Sequence, residues 1–213
     1  ADIGGRPFLD IVIAHLKKQG VRRVILCTGY KADQVEDYYR KNPQGLTFEF
    51  SRESDPAGTG GALKNAWYFI ESEPFLVFNG DSFCAVDLNA FLDFHQSRLA
   101  RASVVISRAK DVSAFGSIFL DEDVKVLKFR EKDPGQGSQG GQGGHGVNAG
   151  VYCFNEDILL SMPDTKRFSL EQDVFPALVG KGFYGFCVDA PFYDIGTPER
   201  YEAARQALER PRQ

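Results

Sequence analysis

The sequence predicts an α/β fold: a Rossmann-like, mixed but mostly parallel sheet flanked by helices, with a small antiparallel insertion over its carboxyl edge. Three observations predict it. Apolar strand-length runs alternate with amphipathic helical segments through the first half of the chain. The run FLVFNGD is apolar on both alternating faces, which suits a strand covered on both sides. Beyond residue 115 the pattern changes, because SIFL, VKVLKFRE and VNAGVYCF follow one another with little helix between them.

Taken in order, Phe8, Leu9, Val12, Ile13 and Leu16 recur at helical spacing across 7–19, with Pro7 suited to the first turn and Gly20 to the stop. VRRVILCTG then reads as a β-branched strand ending at Gly29. A second helix is expected over 32–41, with Val35, Tyr38 and Tyr39 inward, and LTFEFS alternates as a short strand. GGALKNAWYFI is expected to be helical, with Leu63, Ala66, Trp67 and Ile70 on one side. After FLVFNGD come a helix over 88–98 and the strand ASVVIS. Ser169 and Gln172 fit a capping box for a helix over 169–179, which Pro176 would interrupt. FYGFCVD is a further strand, and Thr197-Pro198 suits the start of a closing helix over 198–209.

The 213 residues suit one domain spanning 1–213. With 43% hydrophobic residues, 18 Phe and 8 Tyr, a sizeable core is available. A net charge of −4 and a pI of about 5.5 argue against a nucleic-acid binder, which carries a basic face. No apolar run reaches the ~18 residues of a membrane span, and no leader opens the sequence, so a cytoplasmic protein without a membrane partner is expected. Cys27, Cys84, Cys153 and Cys187 lie in or beside apolar stretches without a CxxC pair, so they read as buried free thiols rather than zinc ligands. His15, His95 and His145 have no partner suggesting a triad or a zinc site and read as non-catalytic. Residues 134–146, with seven glycines, read as a flexible loop that lacks the Lys-Ser/Thr ending of a P-loop.

Asp81 is the strongest chemical signal. It follows an apolar strand and an Asn79-Gly80 bend, at the strand end where open α/β sheets bind ligands. A carboxylate there either holds Mg²⁺, which prefers oxygen ligands, or caps the next segment. Asp194, before Ile-Gly-Thr-Pro, either joins it around the metal or forms an Asx turn. Gly58-Thr59-Gly60-Gly61 would let a nucleobase or phosphate approach the backbone, although the run is not GxGxxG. Glu131-Lys132 ends a strand, where Lys supplies a point charge for a phosphate or is simply solvated. Asn148 and Gly150, in VNAGVY, offer sugar-binding groups or a structural turn.

Together GGRPFLD, GVRRVILCTGYKADQVEDYY, GTGGAL, FNGDSF, FGSI, FREK, VNAGVY, FSLEQDVFP and YDIGTPERY resemble the sugar-phosphate nucleotidyltransferases from about residue 4 to residue 203. The guanylyltransferases of heptose 1-phosphate and mannose 1-phosphate are similar, as are the N-acetylmuramate 1-phosphate uridylyltransferases. The resemblance implies a nucleoside triphosphate and a sugar 1-phosphate as partners, with Mg²⁺ on Asp81 and Asp194. It implies that Gly58 to Gly61 meet the nucleobase and that Gly116 lies beside the sugar. Glu131 would bond sugar hydroxyls, Lys132 the sugar phosphate, and Asn148 and Gly150 would line the sugar pocket. Glu53 lies where the family contacts the base edge, and a carboxylate matches the adjacent N1–H and N2 donors of guanine. The family also opens with a strand, a GxGTRL-type phosphate loop and a Lys. These have no counterpart here, and we expect them to lie outside the 213 residues, because a sheet without its middle strand leaves backbone groups unpaired. Their true loss would instead suggest a non-catalytic nucleotide-sugar-binding module.

Overall fold

The computed structural model describes residues 1–108, 117–130 and 146–209. Its elements follow the sequence pattern closely in the first half. A short β1 (Asp2–Ile3) and β2 (Arg6–Pro7) form a ribbon ahead of α1 (Phe8–Lys18). Then come β3 (Arg23–Thr28), α2 (Ala32–Lys41), β4 (Thr47–Arg52) and α3 (Gly58–Asn65). Next are β5 (Phe75–Phe78), β6 (Ser82–Cys84), α4 (Leu88–Ser97) and β7 (Ala102–Ser107). The remainder comprises β8 (Ser117–Leu120), β9 (Val126–Arg130), β10 (Gly146–Phe154), α5 (Asp157–Leu160), α6 (Phe175–Leu178), β11 (Phe183–Val188), β12 (Phe192–Asp194) and α7 (Pro198–Leu208).

Strands β3 and β4 pair in parallel, and β7 pairs in parallel with β11. Strand β10 runs against both β5 and β7 and lies between them, so it belongs to the main sheet and not wholly to an insertion. Side-chain alternation explains why these strands read as continuously apolar. Val104, Ile106, Tyr152 and Phe154 face one core with α6, whereas Val105, Val151 and Cys153 face another with α1 and α4. A third cluster, Ile13, Tyr39 and Leu46, joins α1 and α2 to the β3–β4 pair.

The β8–β9 hairpin is antiparallel, and β8 pairs with Gly146 and Val147 of β10. Because Val151 is opposite Phe78, the last residue of β5, residues 146–148 project beyond the carboxyl end of β5 and carry the hairpin with them.

Several expectations need correction. The helix expected over 60–70 starts earlier, at Gly58, and ends at Asn65, with a 3₁₀ turn over Trp67–Phe69. The helix expected over 169–179 opens as a π-helical turn, Leu170–Val174, before α6. Its cap is also different: Ser169 Oγ accepts the Glu171 and Gln172 N–H groups, but the return bond comes from Asp173, whose Oδ2 accepts Ser169 N–H at 2.7 Å. Cys84 and Cys153 are buried thiols, as read, but Cys27 is exposed and Cys187 half-buried. Both lie in strands whose covering is incomplete at those positions. Residues 134–145, with His145, lie outside the described residues.

His95 is structural. Asn155 Nδ2 donates to Ala100 O, so Asn155 Oδ1 accepts from His95 Nε2 at 3.0 Å, and Nδ1 faces the Ser103 hydroxyl at 2.8 Å. Burial lowers its pKa and keeps this ring neutral. His15 is likewise held, with Nε2 2.8 Å from Val86 O. No described helix is long and apolar enough to cross a membrane.

Candidate active site

Two short strands that periodicity does not reveal build the centre of the site. Strand β5 ends at Phe78, and Asn79-Gly80-Asp81 turns the chain into β6, which pairs antiparallel with β12. In that register Asp194 is opposite Ser82, and Ile195 N–H donates to Asp81 O at 3.0 Å. Two carboxylates separated by 113 positions in sequence are thereby brought to neighbouring places on one ladder.

The geometry has an electrostatic consequence. Asp81 opens to solvent on one side, but the surrounding walls desolvate it, and the negative charge of Asp194 adds to that effect, with a smaller contribution from Glu171. Its pKa is raised accordingly. Asp194 Oδ1 accepts Gly196 N–H at 3.0 Å and the Arg200 guanidinium at 2.9 Å. The Asx-type turn weighed for Asp194 is therefore present alongside its proximity to Asp81. Neighbouring like charges of this kind favour a shared cation.

Strand β10 backs the acidic turn. Asn79 N–H donates to Gly150 O at 2.8 Å. Gly150 has φ +67°, and a Cβ there would lie 2.5 Å from Ser82 Oγ and 3.0 Å from Asn79 Cβ. Glycine is thus required by the turn itself, independently of any sugar. Asn148 sits at the bulge between Asn148 and Tyr152. Its Oδ1 accepts Gly150 N–H at 3.0 Å, and its Nδ2 donates to the Tyr152 hydroxyl at 2.8 Å. One N–H and one lone pair remain to Asn148 after these bonds.

The glycine turn differs from the sequence reading in its physical cause. Gly58, with φ +74°, opens α3, and the close backbone approach expected there is made by the chain itself. A Cβ on Gly58 would meet Phe168 O at 2.6 Å, one on Gly60 the Phe168 ring at 2.4 Å, and one on Gly61 Lys166 O at 2.6 Å. Gly60 and Gly61 N–H both donate to Phe168 O, at 3.1 and 3.2 Å, so neither is left pointing at a phosphate. Thr59 Oγ1 donates to Glu171 Oε2 at 2.7 Å and accepts Leu170 N–H at 2.9 Å. Glu53, at the end of β4, accepts Ala57 N–H on Oε2 at 3.1 Å, while a Cβ on Gly29 would lie 2.6 Å from its Oε1. It therefore bridges the ends of β3 and β4 to the start of α3.

Gly116, Glu131 and Lys132 lie outside the described residues. Sequence reasoning missed Tyr152, Glu171 and Arg200. Glu171 and Arg200 fall within FSLEQDVFP and YDIGTPERY, but nothing in their spacing shows that one is buried and the other paired across a helix start.

The site thus joins a strand-end carboxylate pair on a mixed α/β sheet to a bulged strand and a glycine turn, an arrangement whose chemistry suits phosphate transfer. The family model described as nucleotidyl transferase matches residues 2–210, and the chain belongs to that family. It is 36% identical over 210 residues to D-glycero-alpha-D-manno-heptose 1-phosphate guanylyltransferase of Aneurinibacillus thermoaerophilus, covering 98% of this chain and 88% of the relative. It is 35% identical over 204 residues to mannose-1-phosphate guanylyltransferase of Mycobacterium tuberculosis, of which it spans 54%. Among solved structures it is similar to HddC from Yersinia pseudotuberculosis, with a TM-score of 0.83 and 36% identity over 98% of this chain and 88% of that one. A structure of the same HddC complexed with GMP-PN matches equally.

Proposed function

We propose that the chain transfers GMP from GTP to a sugar 1-phosphate, forming a GDP-sugar and releasing pyrophosphate. The acceptor best supported is D-glycero-α-D-manno-heptose 1-phosphate, because relatives of that name are 36% and 33% identical and are matched over 88% and 86% of their length. The observation that carries the catalytic reading is the β6–β12 register, in which Asp194 and Asp81 adjoin.

In the reaction an oxygen of the sugar phosphate forms a bond to the α-phosphorus of GTP as the bond to the β-phosphate oxygen breaks. The attacking phosphate is already anionic, so no general base is needed. Positioning and charge neutralisation carry the catalysis. Asp81 and Asp194 fit a hard divalent cation, since both offer oxygens and their mutual repulsion is relieved by positive charge. Two carboxylates suit Mg²⁺, an ion bound through one or two carboxylates that retains waters and phosphate oxygens. When bound, Mg²⁺ would supply Lewis-acid stabilisation of the transferring phosphate.

Glu53 and the Gly58–Gly61 turn form the nucleotide side of the reading. A carboxylate has about four acceptor sites, so the bond from Ala57 N–H leaves Glu53 able to accept guanine N1–H and its amino group. Asn148, with the hydrogen-bonding capacity left to it, bonds sugar hydroxyls beside Gly150. Gly116 and Glu131 serve the sugar and Lys132 its phosphate in the same reading.

The test is pyrophosphate release with Mg²⁺ across a panel of substrates. GTP with heptose 1-phosphate should give the highest kcat/KM, ahead of GTP with mannose 1-phosphate and UTP with N-acetylmuramate 1-phosphate. A higher value for either alternative would reassign the substrate, and absence of turnover with tight binding would favour a binding module.

A further inference from the structure

We propose that Glu171 is a positioning residue whose buried carboxylate fixes the nucleotide-side turn, the acidic turn and the sugar-side strand relative to one another. The inference rests on the guanylyltransferase reading above and adds to it a residue that touches neither substrate.

Glu171 is 9% exposed and is surrounded by hydroxyl donors. Oε2 accepts from Thr59 Oγ1 at 2.7 Å and from Ser169 Oγ at 2.8 Å, and Oε1 accepts from the Tyr152 hydroxyl at 3.0 Å. Other donors occupy both lone pairs of the Ser169 and Tyr152 hydroxyls, which turns their protons to Glu171, and the Thr59 hydroxyl donates to the same carboxylate. Thr59 Oγ1 already accepts Leu170 N–H, at 2.9 Å. Ser169 Oγ already accepts Glu171 N–H, at 3.1 Å, and Gln172 N–H, at 3.3 Å. The Tyr152 hydroxyl accepts Asn148 Nδ2 at 2.8 Å, and the Asn79 side chain is within reach of it as a second donor. Three hydroxyl protons therefore converge on one side chain, which has to be an acceptor only. An ionised carboxylate meets that requirement, and a carboxamide turns an N–H₂ group toward at least one of them.

Where Thr59, Tyr152 and the two asparagines that bond Tyr152 lie makes this a device for the reaction. Thr59 lies in the first turn of α3, among the glycines on the nucleotide side. Asn148 is on the sugar side, and Asn79 begins the turn that presents Asp81. Tyr152 is fully buried, stacks with Phe154 at 5.8 Å between ring centroids, and cannot re-aim its hydroxyl without moving β10. A shift at Glu171 is therefore transmitted to both substrate sides.

Steady-state kinetics of Glu171→Gln, Tyr152→Phe and their double variant test this. Each single change should raise the KM for the sugar phosphate roughly ten- to hundredfold, in the range seen when a supporting hydrogen-bond partner is lost. A smaller folded fraction lowers kcat alone, so a raised KM separates positioning from simple structural damage. The double variant should be no worse than the worse single one, because both changes cut the same link. Should Glu171→Gln fail to fold, Thr59→Val should show the defect and Thr59→Ser, which keeps the hydroxyl, should restore it. Unchanged KM values, or effects that multiply in the double variant, would overturn the proposal. Calorimetric titration of GTP and of the sugar phosphate into the same variants reads the effect without turnover. A wild-type protein that binds neither ligand brings down the guanylyltransferase reading and this inference with it, whereas an active wild type with unperturbed variants brings down this inference alone.

Discussion

At the scale of single residues, Glu53 is where base choice is decided in this account. Its carboxylate is anchored by Ala57 N–H and confined against Gly29, so it presents a fixed acceptor rather than a mobile surface charge. Inosine triphosphate differs from GTP by the missing 2-amino donor. A hydrogen bond to a charged group is worth about 1.5–3 kcal/mol, so wild-type protein should prefer GTP over ITP in kcat/KM by roughly tenfold or more. Glu53→Gln should erase most of that preference, as measured by parallel assays with the two nucleotides. Asp81 was legible from sequence because a strand end followed by a small-residue bend is a local signal. Glu171 was not, because a glutamate in a capped helical segment reads as solvated until two hydroxyls remote in sequence, those of Thr59 and Tyr152, are seen to converge on it beside that of Ser169.

At the scale of elements, the first turn of α3 is a docking surface for the chain segment around Phe168. Replacing a helical glycine by alanine ordinarily stabilises by about 0.5–1 kcal/mol. At Gly60 the added methyl would lie 2.4 Å from the Phe168 ring. Overpacking of that kind costs about 1–3 kcal/mol, so the clash outweighs the helical gain. Gly60→Ala should lower the urea midpoint, and an increase in the midpoint would contradict the packing described. Composition alone could not separate these cases, since glycine marks a close neighbour without saying whether it is a ligand or the chain itself. Strands β6 and β12 leave no period-two pattern for another reason: each is three residues long, so a strand end at Asp194 could be raised from PFY but its pairing with β6 could not. The strands β7 and β10 were plain, because both faces are buried and apolar residues predominate along them.

At the scale of the whole molecule, the sheet assembles chemistry from segments far apart in sequence. Strand β5 carries the acidic turn, β10 supports it from behind, and β12 brings Asp194 alongside. The hairpin β8–β9 extends from the same carboxyl end. The α/β class was legible because layers leave a periodic record. The placement of β10 between β5 and β7, antiparallel to both, was not, since pairing order is a tertiary property that periodicity does not encode. That placement lets one bulged strand, which carries Asn148, back the turn that presents Asp81.

The most direct measurement is the Mg²⁺-dependent release of pyrophosphate from GTP and heptose 1-phosphate by Asp81→Asn and Asp194→Asn. Both proteins should stay folded, and each should lose more than about a hundredfold in kcat, the scale on which transition-state charge stabilisation is lost. Turnover at the wild-type rate in either variant would contradict the account.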